Sequence, residues 1–155
     1  MKPIRTRYST IMNTLSLLFL IGTLLYLIMS WNSIPEQIPT HYNAAGEADS
    51  WGRKATLLIF PIISWIVIGF ISLVECFPEA WNTDVEVTPQ NKEQVYRLLK
   101  HILVTLKFEI CVYFFWLTFL SSKSDNLGLW NVIIFLMTVF GTLGWYLYRL
   151  YHIKL

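Results

Sequence analysis

The chain has 155 residues, of which 55% are hydrophobic and only 14% charged, with a mean hydropathy of +0.49. That balance excludes a soluble domain of ordinary composition and makes a bilayer the expected solvent. The formal net charge of +2 follows from the topology derived below and gives no support to nucleic-acid binding.

A hydrocarbon core of about 30 Å takes roughly 20 apolar residues as helix. Four segments qualify, at residues 11–30, 55–77, 101–121 and 127–148. The expected fold class is all-α: a polytopic membrane protein, one domain over residues 1–155, with four transmembrane helices in two antiparallel hairpins. The first span follows Lys2, Arg5 and Arg7 as a signal peptide would, but its apolar core is longer and no small-x-small cleavage site follows Met29, so it reads as an uncleaved helix.

Positive flanks are retained in the cytoplasm. Lys2, Arg5 and Arg7 lie in the tail 1–10, Lys92, Arg97 and Lys100 in the loop 78–100, and Arg149 and Lys154 in the tail 149–155. The other side holds Arg53, Lys54 and Lys123. Both termini are therefore expected in the cytoplasm, with the loops 31–54 and 122–126 outside.

The loop 31–54 is the most informative stretch. Pro35 and Pro39 push Ile34 and Ile38 out of the helical region, so the chain should be extended here, with both isoleucines dipping into the interface. Thr40-His-Tyr-Asn-Ala-Ala-Gly46 reads as a reversal, because Asn43 tolerates unusual backbone angles and Gly46 takes positive φ freely. Asp49 or Ser50 would then cap the second helix. Arg53 and Lys54 would fall in its first turn, where the helix dipole disfavours cations, so lipid phosphates or the loop's own carboxylates should hold them. His41, Glu47 and Asp49 are the candidates for a metal site or acid–base chemistry. Their spacing fits no standard metal motif, and the alternative is that His41 bonds a carboxylate and braces the turn. No cofactor is indicated.

Pro61 is expected to kink the second span near its outer end. In the loop 78–100, Thr88 suits an N-cap and Pro89 a first helical position, with Val95, Leu98, Leu99 and Ile102 recurring at helical spacing. The third helix should thus start near Pro89 and carry Lys92, Arg97 and Lys100 at headgroup depth. The turn 122–126 only has to reverse the chain. Trp31, Trp51, Trp116, Trp130, Trp145, Tyr146 and Tyr148 mostly fall near span ends, where amphipathic rings anchor a helix in the interface.

Glu75, Lys107 and Glu109 are ionisable groups in apolar surroundings and are functional candidates for that reason. Glu75 and Lys107 are at similar depth on antiparallel helices and can pair. Lys107 and Glu109 point about 200° apart around one helix and cannot. Glu109 lacks an obvious partner. Cys76 and Cys111 differ in depth and should not be joined.

Taken whole, Ile34-Pro-x-x-Ile-Pro-Thr-His-Tyr-Asn-Ala-Ala-Gly-Glu-Ala-Asp-x-Trp-Gly-x-Lys54 resembles the signature of a bacterial membrane domain family of unknown function, over about residues 12–65. Relatives of that family include the immunity protein of the sporulation-delaying toxin system. The resemblance implies a bacterial cell membrane, an extracytoplasmic peptide or toxin as ligand, and a cytoplasmic repressor as partner. The immunity protein is longer, with further helices, and keeps the His-Tyr-Asn segment less faithfully.

The function expected is a binding protein of the immunity or signalling type, without chemistry, in which His41, Tyr42, Asn43, Gly46, Asp49, Trp51 and Lys54 recognise the ligand. No nucleophile with a positioned base and no phosphate loop is present in the sequence. The alternatives are an enzyme or transporter using His41, Glu47 and Asp49 with a metal or protons, coupled to Glu109, or a helper subunit of a larger membrane complex. The lipid bilayer is the one partner composition itself implies, and nothing indicates an oligomeric state.

Overall fold

The computed structural model describes residues 5–81 and 85–153. Lys2, Asp84 and Lys154 lie outside the described residues. Among the described residues four helices are long and apolar enough to cross a membrane: α1 (Arg7–Ser30), α2 (Ile59–Cys76), α3 (Lys92–Ser122) and α4 (Leu129–Tyr151). Between α1 and α2 lies a two-stranded antiparallel sheet of β1 (Gln37–Tyr42) and β2 (Ala48–Arg53). The protein is thus a multi-pass membrane protein, all-α apart from one hairpin.

α1 begins with a capping box. Thr6 Oγ1 accepts from the Ser9 amide at 3.0 Å while Ser9 Oγ accepts from the Thr6 amide at 3.0 Å, satisfying amides that the helix itself leaves open. α3 is the central helix and packs against each of the other three. Leu20 of α1, Ile68 of α2 and Cys111 of α3 form one core cluster, and Val95 and Leu98 of α3 meet Leu150 and Ile153 in another. Thr6 and Tyr8 tie α1 to α3 through His101 Nε2 at 3.1 Å and Thr105 Oγ1 at 2.7 Å. The lateral faces stay apolar and exposed, as on Phe70, Leu73, Met137 and Phe140, which suits hydrocarbon rather than water.

Several expectations are corrected. Asp49 and Ser50 do not cap α2, because pairing from Tyr42↔Ala48 to Gln37↔Arg53 places both inside β2. The chain then passes through a 3-10 segment, Lys54–Leu58, before α2 starts. Pro61 is the third residue of α2, just after the 3-10 segment gives way to α-helix, where a residue without an amide is well tolerated. α3 starts at Lys92, not near Pro89. Thr88 and Asn91 bond reciprocally, the Thr88 amide donating to Asn91 Oδ1 at 2.8 Å, and this closes a turn ahead of the helix. Ile34 and Ile38 do not dip into an interface but are buried with Leu27 and Leu57 beneath the hairpin.

Candidate functional site

The hairpin owes its shape to Asn43. Its Oδ1 accepts the amides of Ala45 at 2.9 Å and Glu47 at 3.0 Å, an Asx-type turn that reverses the chain between β1 and β2. Gly46 completes the reversal at φ +79°. Register slips on either side of His41 leave Thr40 of β1 and Asp49 of β2 without a directly paired residue, one irregularity in each strand. Gly52 lies close under Thr40, since a Cβ there would sit 2.8 Å from Thr40 Cγ2 and that side chain would have to shift.

The turn between α3 and α4 does more than reverse the chain. It is the platform on which the hairpin docks. The Gly128 amide donates to the Gly46 carbonyl at 3.0 Å, and the Ala48 amide donates to Asn126 Oδ1 at 3.2 Å. The Tyr42 hydroxyl bonds Ser121 Oγ at 3.2 Å and donates to the Asp125 carbonyl at 3.3 Å. Burial raises the Tyr42 phenol above its ordinary range, so it is held as a neutral donor. Sequence reasoning missed this docking. Gly128 makes this contact at φ +70°.

The candidate residues of the loop divide in two. Tyr42, Asn43 and Gly46 build and seat the hairpin. Lys54, which is mostly buried, is held by Glu36 at 2.7 Å and stands over the Trp31 ring at 5.4 Å, so the loop's own carboxylate answers the misplaced cation. His41, Asp49 and Trp51 remain at the surface. His41 Nδ1 meets Asp49 Oδ1 at 2.6 Å, with side-chain exposures of 70% and 42%, and Trp51 is 53% exposed. Glu47 accepts instead from Asn43 Nδ2 at 3.1 Å. His41, Glu47 and Asp49 therefore do not converge, and no group of three or more His, Cys, Asp or Glu is arranged to hold a metal among the described residues.

A second polar site lies between the helices, toward the end of the bundle where α1 begins and α4 finishes. Glu75 is buried and accepts from Lys100 Nζ at 2.6 Å, from Lys107 Nζ and from Asn13 Nδ2 at 3.2 Å. Lys107 also reaches Ser72 Oγ at 3.2 Å. Glu75 and Lys107 do pair, as their depths suggested. Lys100 is a correction: it is 6% exposed and belongs to the cluster, not to a headgroup layer. Its spacing of seven from Lys107 puts both on one helix face, which was the legible sign. One carboxylate faces two ammonium groups, so the cluster carries excess positive charge. Glu109 stands apart from it. Its Oε1 accepts from Thr142 Oγ1 at 2.5 Å, while its buried Oε2 has no partner among the described residues.

Comparison with known proteins reaches the hairpin and its flanking helices. Residues 18–64 match a family described as a domain of unknown function (DUF1648). An uncharacterised protein of Archaeoglobus fulgidus is 36% identical over 50 residues, which is 32% of this chain and 27% of that protein. The match thus spans about a quarter of the relative's length. No solved structure matches.

Proposed function

We propose that the protein is a membrane binding protein of the immunity or signalling type, whose hairpin lies outside the cell and recognises an extended segment of a peptide toxin or envelope component. The observation that carries this reading is the placement of β2. β1 packs toward α3 and the Lys54–Leu58 segment, whereas β2, beyond the Ala48 amide that Asn126 takes, is exposed along most of its length. A free strand edge offers main-chain donors and acceptors to an extended peptide, and it invites pairing unless something covers it. Trp51 beside it supplies the large apolar contact that dominates many interfaces. His41 and Asp49 add a polar pair at the same surface. Tyr42, Asn43, Gly46 and Lys54 keep this surface rigid, which lowers the ordering cost of binding.

The orientation rests on the excess of lysine and arginine at the termini end of the bundle. The test is selection of a random linear peptide library on the purified protein in nanodiscs, with the Trp51→Ala protein as the counter-target. The selected peptides should bind the wild type and lose about tenfold or more in affinity on Trp51→Ala, which should insert and fold normally. A selection that yields only peptides binding both proteins equally would overturn the reading.

A further inference from the structure

α4 is the least embraced helix of the bundle, with Leu150 its one buried residue among those described. Between it and α3 lies a cavity of about 310 Å³, at the low end of the range that takes small molecules. Phe108, Tyr113, Trp116 and Phe135 supply aromatic walls, and Tyr113 and Phe135 stack with ring centroids 3.8 Å apart and planes 11° from parallel. At the hairpin end, Trp116 Nε1 donates to Asn131 Oδ1 at 2.6 Å, and both residues line the pocket. Glu109 lines the same cavity. It lies roughly 20 Å along α3 from Ser122, well inside a hydrocarbon core of about 30 Å.

The electrostatics of Glu109 are one-sided. Lys107, two residues earlier, points to the opposite side of α3 and is held by Glu75. Among the described residues Glu109 makes no ion pair, and Thr142 satisfies only one of its oxygens. A carboxyl group in such surroundings needs a proton or a cation, because an isolated charge in a low-dielectric site is costly. The aromatic faces add the attraction of their quadrupoles for positive charge.

We infer that the α3–α4 cavity binds a lipophilic cation, an amine or quaternary ammonium on an apolar body, with Glu109 as its counter-charge and the four aromatic side chains around its apolar part. Shape alone would admit a lipid acyl chain. The carboxylate selects charge.

Benzyltrimethylammonium and its neutral carbon isostere neopentylbenzene separate these occupants. Equilibrium dialysis of radiolabelled benzyltrimethylammonium against the whole protein in nanodiscs should show saturable binding above that of empty nanodiscs. Excess neopentylbenzene should displace it poorly. Glu109→Gln should weaken binding by about tenfold or more, while Glu109→Asp retains most of it. Phe135→Leu should weaken it less, by removing one aromatic face while keeping an apolar wall. Thermal unfolding and size-exclusion profiles identify variants that fail to fold, and Glu109→Asp keeps the test usable if Glu109→Gln does. Equal affinity for the cation and its isostere, binding untouched by Glu109→Gln in a folded protein, or no saturable binding would each overturn the inference.

Discussion

Gly46 and Gly128 touch backbone to backbone. The Gly128 amide donates to the Gly46 carbonyl at 3.0 Å, and a Cβ built on Gly46 would fall 2.3 Å from the Gly128 carbonyl carbon. Both residues have positive φ, at +79° and +70°. The contact joins two segments far apart in sequence and fixes the hairpin to the turn between α3 and α4.

Gly46→Ala should therefore undock the hairpin without unfolding the helices. Two costs add: an L side chain at positive φ, about 1 kcal/mol or more, and a clash with main chain that cannot rotate away. Amide hydrogen exchange is the suitable probe. Residues 42–53 should lose protection by about tenfold or more, while protection within α3 stays near wild type. Equal loss in hairpin and helices would mean that the contact supports the bundle as a whole.

Glu75→Gln should be the most damaging conservative substitution among the buried polar residues. It leaves Lys100 and Lys107 close together without their carboxylate, and breaking a buried pair from one side costs about 3–5 kcal/mol. Lys100→Met removes the excess cation while keeping Glu75 paired with Lys107, and should cost less. Thermal unfolding of both variants in one detergent gives the comparison. If Lys100→Met proves as destabilising as Glu75→Gln, the cluster depends on its full set of contacts and not on charge balance.

The helical part of this fold is legible because hydrophobic length is a local property, and a charge buried in an apolar run announces itself in the same way. Glu75 and Lys107 could be paired from depth alone, as helix rise converts sequence position directly into height. Lys100 escaped because residues at a span end read as exposed unless a partner's height is compared with theirs. The hairpin was hidden for a different reason. β1 contains Pro39, and β2, Ala-Asp-Ser-Trp-Gly-Arg, has none of the β-branched alternation that marks a strand. What makes it a strand is the Asn43 turn together with burial of Ile34 and Ile38 against Leu27 and Leu57. Asp49 and Ser50 look like caps from sequence because cap chemistry is the same in a strand next to a turn. The seat of the hairpin on Asn126 and Gly128 could not be read at all, since it depends on how α3 and α4 bring their turn beside it.

Lys54 and Glu36 form an unequal ion pair, and substitutions of the two should not be equivalent. They meet at 2.7 Å, but the lysine side chain is 17% exposed and the glutamate 81%. A mostly solvated carboxylate gains little from the pair, so Glu36→Gln should cost under about 1 kcal/mol. Lys54 has more to lose. Its ammonium stands 5.4 Å from the Trp31 ring centroid and its stem is packed at the junction of β2 with the Lys54–Leu58 segment. Cation–π attraction at a partly desolvated site contributes about 1 kcal/mol, and truncation also removes the stem's packing. Lys54→Ala should therefore destabilise the hairpin clearly more than Glu36→Gln, and Lys54→Met, which keeps much of the stem, should fall between them. Hairpin amide exchange in the three variants ranks the effects. If Lys54→Met matches wild type, the stem's packing carries the site, whereas a loss equal to that of Lys54→Ala assigns the effect to the charge over Trp31.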